Sequence, residues 1–237
     1  MELFIGHKIN EKQFCLTQDE FHHCIRVTRH KIGDAILVTE FNGIIFNAKI
    51  IQINTQEAIL EINGIFREEN LHTTKISIAI SPTQHMDRFE WFIEKAVENG
   101  VHEIIPLHCK RTENIKIKTD RLLKIITASA KQTLRPWIPR MQSLSAFENL
   151  FNTYDLQSQK FIGHCQDGLE GYLGKLYSPA ANVLILIGPA GDFTTDEIKF
   201  AILNKCIPVS LGDYRLRTET AGLTALQILQ TIRHLQL

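Results

Sequence analysis

Residues 182–188 read Asn-Val-Leu-Ile-Leu-Ile-Gly. Five apolar residues stand together with no polar one between them, and a glycine ends the run. A strand with one wet face alternates apolar and polar side chains. A strand covered on both faces does not, and that occurs mainly in parallel sheets with helices on either side. Parallel neighbours also need a crossover between them, usually a helix.

The chain around this run has that rhythm. "KISIAIS" (75–81), "VHEIIPL", "KFIGHC" and "IPVSLG" read as further strands. Between them lie helical patterns. "DRFEWFIEKAVENG" puts Phe89, Phe92, Ile93, Ala96 and Val97 on one face and stops at Gly100. "TDRLLKIITASAKQTL" is followed by Pro136. Thr194 and Glu197 have the spacing of a capping box before "DEIKFAILNK", and "TAGLTALQILQTIRHL" closes the chain. Strands alternating with helices predict an α/β fold with a largely parallel sheet.

Residues 1–70 read differently. "DAILVTE", "IIFNAKIIQIN" and "EAILEINGIF" are β-rich, and Asn42-Gly43 is a hairpin signal between the first two. Thr17 and Glu20 have capping-box spacing ahead of one short helix. Several strands and one helix in this length suggest a small barrel. The polar stretch "FREENLHTTK" marks the expected boundary, giving domains 1–70 and 71–237.

Several function classes are disfavoured. No apolar run approaches the ~20 residues that span a bilayer, and the first residues lack a signal-peptide layout, so a cytoplasmic protein is expected. The five cysteines form no C-x-x-C pair, and adjacent His-Cys pairs on a strand point to opposite faces, so no metal is expected. P-loop, G-x-S-x-G and H-E-x-x-H motifs are missing, and no dinucleotide fingerprint follows the first strand. Net charge is zero, yet residues 110–140 hold nine Lys/Arg against two acids. Such a sector fits either a phosphate-contacting surface or a solvated helix face.

Ligands of α/β sheets bind beyond the carboxyl ends of strands. Two strand-to-helix loops qualify: "GPAGDF" (188–193) and "GDYRLRTE" (212–219). Their glycines let backbone amides approach a ligand closely.

"VLILIGPAGDF" followed by "IPVSLGDYRLRTETAGLTAL" resembles the knotted SPOUT methyltransferases. More narrowly, the chain resembles the RsmE-type 16S ribosomal RNA uridine N3-methyltransferase family. "HHCIRVTRHKIGD" (22–34), "DRFEWFIEKAVENGVHEIIPL" (87–107) and "ASAKQTLRPWIP" (128–139) extend the likeness over nearly the whole chain. The resemblance implies a PUA-like β-barrel, then a SPOUT domain with a deep trefoil knot. It implies S-adenosylmethionine as cofactor, a homodimer, and 16S ribosomal RNA in the assembled 30S subunit as substrate. An RNA-binding protein of impaired catalysis, acting in ribosome assembly, is the alternative.

Carried onto this chain, the resemblance places the cofactor against Ile187, Gly188, Pro189, Gly191, Leu211, Gly212, Leu216, Thr218, Thr220 and Ala221. It places catalysis on Arg217, Arg215 and Glu219. An arginine cannot be the base, since its pKa lies above ~12, but it can stabilise charge developing on uracil. Glu219 is either the proton acceptor or the partner that fixes Arg217. Arg26, Arg29, Lys116, Lys118, Arg121 and Arg135 are the RNA-facing candidates. Ala221 and Gly222 would let the last helix start close to the cofactor or to a second subunit. Two departures stand out: the family's Gly-Pro-Glu-Gly-Gly reads Gly-Pro-Ala-Gly-Asp here, and no arginine lies near the N-terminus.

Overall fold

A computed structural model describes residues 2–70, 74–113, 116–153, 158–168 and 170–235. The chain divides into two compact units, Met1–Leu71 with Thr127–Ile138, and His72–Ile126 with Pro139–Leu237.

The first unit holds one mixed sheet of six strands: β1 (Leu3–Ile5), β2 (His7–Asn10), β3 (Gln13–Thr17), β4 (Ala35–Thr39), β5 (Ile44–Ile53) and β6 (Glu57–Glu68). Their order is β1-β4-β5-β6-β3-β2, with β1 and β4 parallel and the other pairs antiparallel. Asn42-Gly43 does join β4 to β5, with Gly43 at φ +103°, where a side chain would be strained. Alternate residues Ala58 and Leu60 of β6 face a core with Phe4, Phe14, Ile36, Val38 and Ile50.

Helix α1 (Gln18–His22) runs into a π-helical turn, His23–Val27. The expected capping box at Thr17 does not form: its side chain makes no cap hydrogen bond. Glu20 is engaged elsewhere, accepting from the Ile5 amide at 2.9 Å and from Lys131 Nζ at 2.7 Å. A lysine ammonium and an amide far along the chain outcompete the local amide.

The second unit is a parallel sheet. Its strands are β7 (Ile76–Ile80), β8 (Glu103–His108), β11 (Gln159–Gly163), β13 (Val183–Ile187) and β14 (Cys206–Ser210), with short strands β9 (Arg140–Met141), β10 (Ser145–Ala146) and β12 (Gly171–Tyr172). The order is β10-β8-β7-β13-β11-β14-β12, with β9 also on β8. The apolar run is the central strand β13, buried at every position. Its Leu184 and Leu186 pack with Phe147, Phe193, Ile198 and Ala201. These come from α4 (Phe147–Thr153), α6 (Thr195–Leu203) and the loop before α6. Helix α7 (Thr218–Leu235) lies against β7, β13 and α2 (Met86–Glu98). Helix α5 (Leu173–Leu176) completes the set, while α3 (Thr119–Gln132) begins in the second unit and ends in the segment Thr127–Ile138 of the first.

Helix α2 buries the five residues expected, and Gly100 follows its end at φ +80°. Gly222 differs from expectation. A Cβ there would stand 2.7 Å from both Ile80 Cδ1 and Phe92 Cε2, so its close approach is to the unit's own strand and helix.

Candidate active site

Because β7, β8, β11, β13 and β14 are all parallel, their carboxyl ends share one edge. Pro82–His85 follow β7, Arg111 and Glu113 follow β8, and His164 and Cys165 follow β11. Gly188–Asp192 follow β13, and Leu211–Arg217 follow β14. All of these line one cleft of about 720 Å³. That is the size of a small-molecule site.

The loop after β13 is held from several sides. A Cβ at Gly188 would stand 3.0 Å from the Phe193 ring, so any side chain there would have to push that ring aside by a few tenths of an ångström. Arg111 Nη1 donates to the Gly191 carbonyl at 2.6 Å, and Gln166 Nε2 donates to the Phe193 carbonyl at 2.9 Å. The capping box at Thr194 and Glu197 is complete. Glu197, 3% exposed, also accepts from the Lys110 amide at 2.7 Å, which ties the loop after β8 to α6.

Asp192 explains how this chain departs from its resemblance. It sits at φ +64°, in the left-handed region where glycine is at ease and aspartate is tolerated. Its Oδ2 accepts from the Cys165 amide at 3.0 Å and its Oδ1 from the Phe193 amide at 2.8 Å. The carboxylate therefore braces the backbone that its own conformation strains. His164, beside it, is 7% exposed, accepts at Nδ1 from the Gln166 amide and, among the described residues, has no partner at Nε2. Burial pushes its pKa below the ordinary value.

The last loop joins the first through Thr218, whose hydroxyl donates to the Gly188 carbonyl at 3.1 Å. Gly212 turns at φ +146°. Arg215 and Arg217 are exposed on the cleft wall, and among the described residues neither guanidinium has a hydrogen bond or ion pair. Glu219 is 8% exposed, and its nearest charge is Arg88, with Nε 4.0 Å from Oε1. Of the two roles expected for Glu219, pairing with Arg217 has no contact behind it among the described residues, where its ion pair is with Arg88.

Arg215, Arg217 and Glu219 meet in the cleft, as do Ile187, Gly188, Pro189, Gly191, Leu211, Gly212, Leu216, Thr218 and Ala221. Thr220 is exposed and outside the lining, because it follows two residues of α7 that turn inward. Pro82–His85, Arg88, Arg111 and Glu113 were not expected. The rule that ligands gather at carboxyl ends would have flagged "SPTQH" after β7. Of the RNA-facing candidates, Arg26 and Arg29 are exposed in the first unit, and Lys116 and Lys118 in the second. Arg121 is exposed but donates to Glu90 Oε2 at 2.7 Å. Arg135 is not fully exposed; burial, the larger effect, lowers its pKa against the pull of Glu69.

Residues 69–230 match the family described as RNA methyltransferase domain, and residues 16–63 the RNA methyltransferase PUA domain. A ribosomal RNA small subunit methyltransferase E of Buchnera aphidicola is 30% identical, the match covering 97% of this chain and 92% of the relative. The chain belongs to this methyltransferase family. The crystal structure of a probable rRNA-methyltransferase from Porphyromonas gingivalis superposes with TM-score 0.90 at 33% identity, covering all of both chains. A Legionella pneumophila structure described as a methyltransferase with bound cofactor S-adenosylmethionine gives 0.82 at 25% identity, over 97% and 96% of the two chains.

Proposed function

We propose that this protein transfers a methyl group from S-adenosylmethionine to N3 of a uridine in 16S ribosomal RNA, with the assembled 30S subunit as substrate. The observation that carries the reading is what shares the cleft with the glycine loops: two guanidiniums without partners and a buried carboxylate without hydrogen bonds, among the described residues.

The cleft suits S-adenosylmethionine. Gly188 and Gly191 line it with no side chain of their own, and arginines and carboxylates both line it, as a ligand carrying both charges requires. Ile187, Gly188, Pro189, Gly191, Leu211, Gly212, Leu216, Thr218 and Ala221 would hold it. When bound, the cofactor supplies an electrophilic methyl group.

The protein's own task is to make N3 nucleophilic. Neutral uracil holds a proton there, and its loss spreads negative charge onto the ring oxygens. Glu219 accepts that proton, since its lone pairs face the cleft uncommitted. Arg217, with Arg215 second, donates to the ring oxygens as charge builds. Uracil so held would be ready to accept the methyl group that the bound cofactor would supply, and the proton leaves Glu219 for solvent.

RNA is held by Arg26 and Arg29 on the first unit and by Lys116 and Lys118 on the second. The reading also includes a cytoplasmic homodimer and a trefoil knot linking loops 188–193 and 211–217. An experimental trace of the chain through those loops checks the knot. The central test is nucleoside analysis of 30S subunits and of naked 16S RNA after incubation with enzyme and cofactor. The expected product is 3-methyluridine, with 30S preferred. A different methylated nucleoside, or none, sinks the assignment.

A further inference from the structure

Arg88 has no role in the reading so far, and its position is unfavourable unless it has one. It stands in the first turn of α2, three residues after the N-cap His85. Helix N-termini carry partial positive charge, so a cation there is disfavoured. Asp87 beside it is the acidic residue of that turn, yet among the described residues the one ionic contact of Arg88 is with Glu219, on another helix and 131 positions further along the chain. The two side chains approach across the cleft wall, Arg88 with 42% of its side chain exposed and Glu219 with 10%.

The separation is 4.0 Å, longer than a charge-assisted hydrogen bond. A pair of that length leaves the carboxylate's lone pairs available while limiting where the carboxylate can point. Glu219 has no other polar contact recorded among the described residues. Among the other charged residues of the cleft, Arg111 is bound to the Gly191 carbonyl and Asp192 to two amides, whereas Arg215 and Arg217 lie on the exposed loop and, among the described residues, make no ion pair with Glu219.

We infer that Arg88 is a positioning residue: it aims the Glu219 carboxylate at the N–H of the target base, through the Arg88–Glu219 contact across the cleft. The inference rests on the proposed function, in which Glu219 takes the proton. It assigns to α2 a part in proton removal, separate from the glycine loops that would hold the cofactor. A group that is misaimed rather than deleted loses rate without losing the cofactor.

The test is single-turnover methylation of 30S subunits by Arg88→Ala, Arg88→Lys, Glu219→Gln and the double variant Arg88→Ala/Glu219→Gln, beside calorimetry with S-adenosylhomocysteine. Arg88→Ala should slow transfer on the order of 10- to 100-fold, the scale of a misplaced catalytic group. The affinity for S-adenosylhomocysteine should stay within about twofold, because the glycine loops are untouched. Arg88→Lys should recover part of the rate. In the Glu219→Gln background, Arg88→Ala should add nothing, since both changes disable one function.

Four outcomes overturn the proposal: a wild-type rate for Arg88→Ala, a loss of S-adenosylhomocysteine affinity, an equal penalty in the Glu219→Gln background, or a wild-type rate for Glu219→Gln. Failure of the proposed function is seen separately. It would appear as a wild-type enzyme that yields no 3-methyluridine, while coupling between Arg88 and Glu219 remains readable on any methylated product.

Discussion

At the scale of single residues, Asp192 shows two opposed effects on one position. Its left-handed backbone costs energy, and its two hydrogen bonds to amides return it. Asp192→Ala keeps the strain and removes the bonds. It should lower stability by about 2 kcal/mol, the worth of hydrogen bonds to a charged acceptor. Asp192→Gly should cost less, since glycine adopts that φ freely. Urea denaturation checks both, and equal losses would mean that the backbone conformation is not strained.

Arg217 belongs to the reaction rather than the fold. It is exposed, and its side chain has no hydrogen bond or ion pair among the described residues. Arg217→Ala should lower the single-turnover rate roughly 100-fold, as the loss of an oxyanion donor does, and Arg217→Lys should restore part of it. Cofactor affinity and melting temperature should hold; a normal rate would return Arg217 to the solvated surface.

His164 sets a pH dependence. Burial holds its folded pKa below the ordinary 6.5, so as the pH falls the unfolded chain takes up the proton first. Its contribution to stability is intact above that value. It declines as the pH drops below, until the folded imidazole itself titrates. Melting temperatures between pH 8 and 5 should fall more steeply for the wild type than for His164→Gln. Parallel curves would show that the imidazole does not titrate differently on unfolding.

At the scale of elements, the same sequence pattern has two outcomes. Thr194 and Glu197 form their capping box, and Thr17 and Glu20 do not. The spacing is identical, and the difference lies in what else reaches each glutamate. Glu197 bonds its own helix and the Lys110 amide together, whereas Glu20 is drawn to Ile5 and Lys131. Helix α7 carries a similar lesson in Gly222. Replacing it with alanine would favour the helix by about 1 kcal/mol. The new Cβ would however meet Ile80 and Phe92 at 2.7 Å, and overpacking a core costs typically 1–3 kcal/mol. Gly222→Ala should therefore destabilise by about 1 kcal/mol in chemical denaturation. A gain in stability would show that the ring and the methyl group yield easily.

At the scale of the whole molecule, the proposed homodimer has a simple expectation. Light scattering at micromolar concentration should give about twice the 27.1 kDa chain mass. Exposed apolar side chains on the second unit, among them Leu203, Ile207 and Tyr214, are available for such an association. A monomer that methylates at full rate would remove the dimer from the mechanism.

What the amino-acid sequence determined by itself follows from local periodicity. The unbroken run at 183–187 specified a strand covered on both faces, and that specified a parallel sheet with its loops on one edge. The buried face of α2 was legible because burial repeats every few residues along a helix, and the two glycine loops because each follows a legible strand and precedes a legible helix. The partners of the site were not legible. Arg88 with Glu219, Arg111 with Gly191 and Thr218 with Gly188 join residues 30 or more positions apart. No local pattern records such a pair. Only the folded sheet decides which charges share a cleft, since it brings five strand ends to one edge.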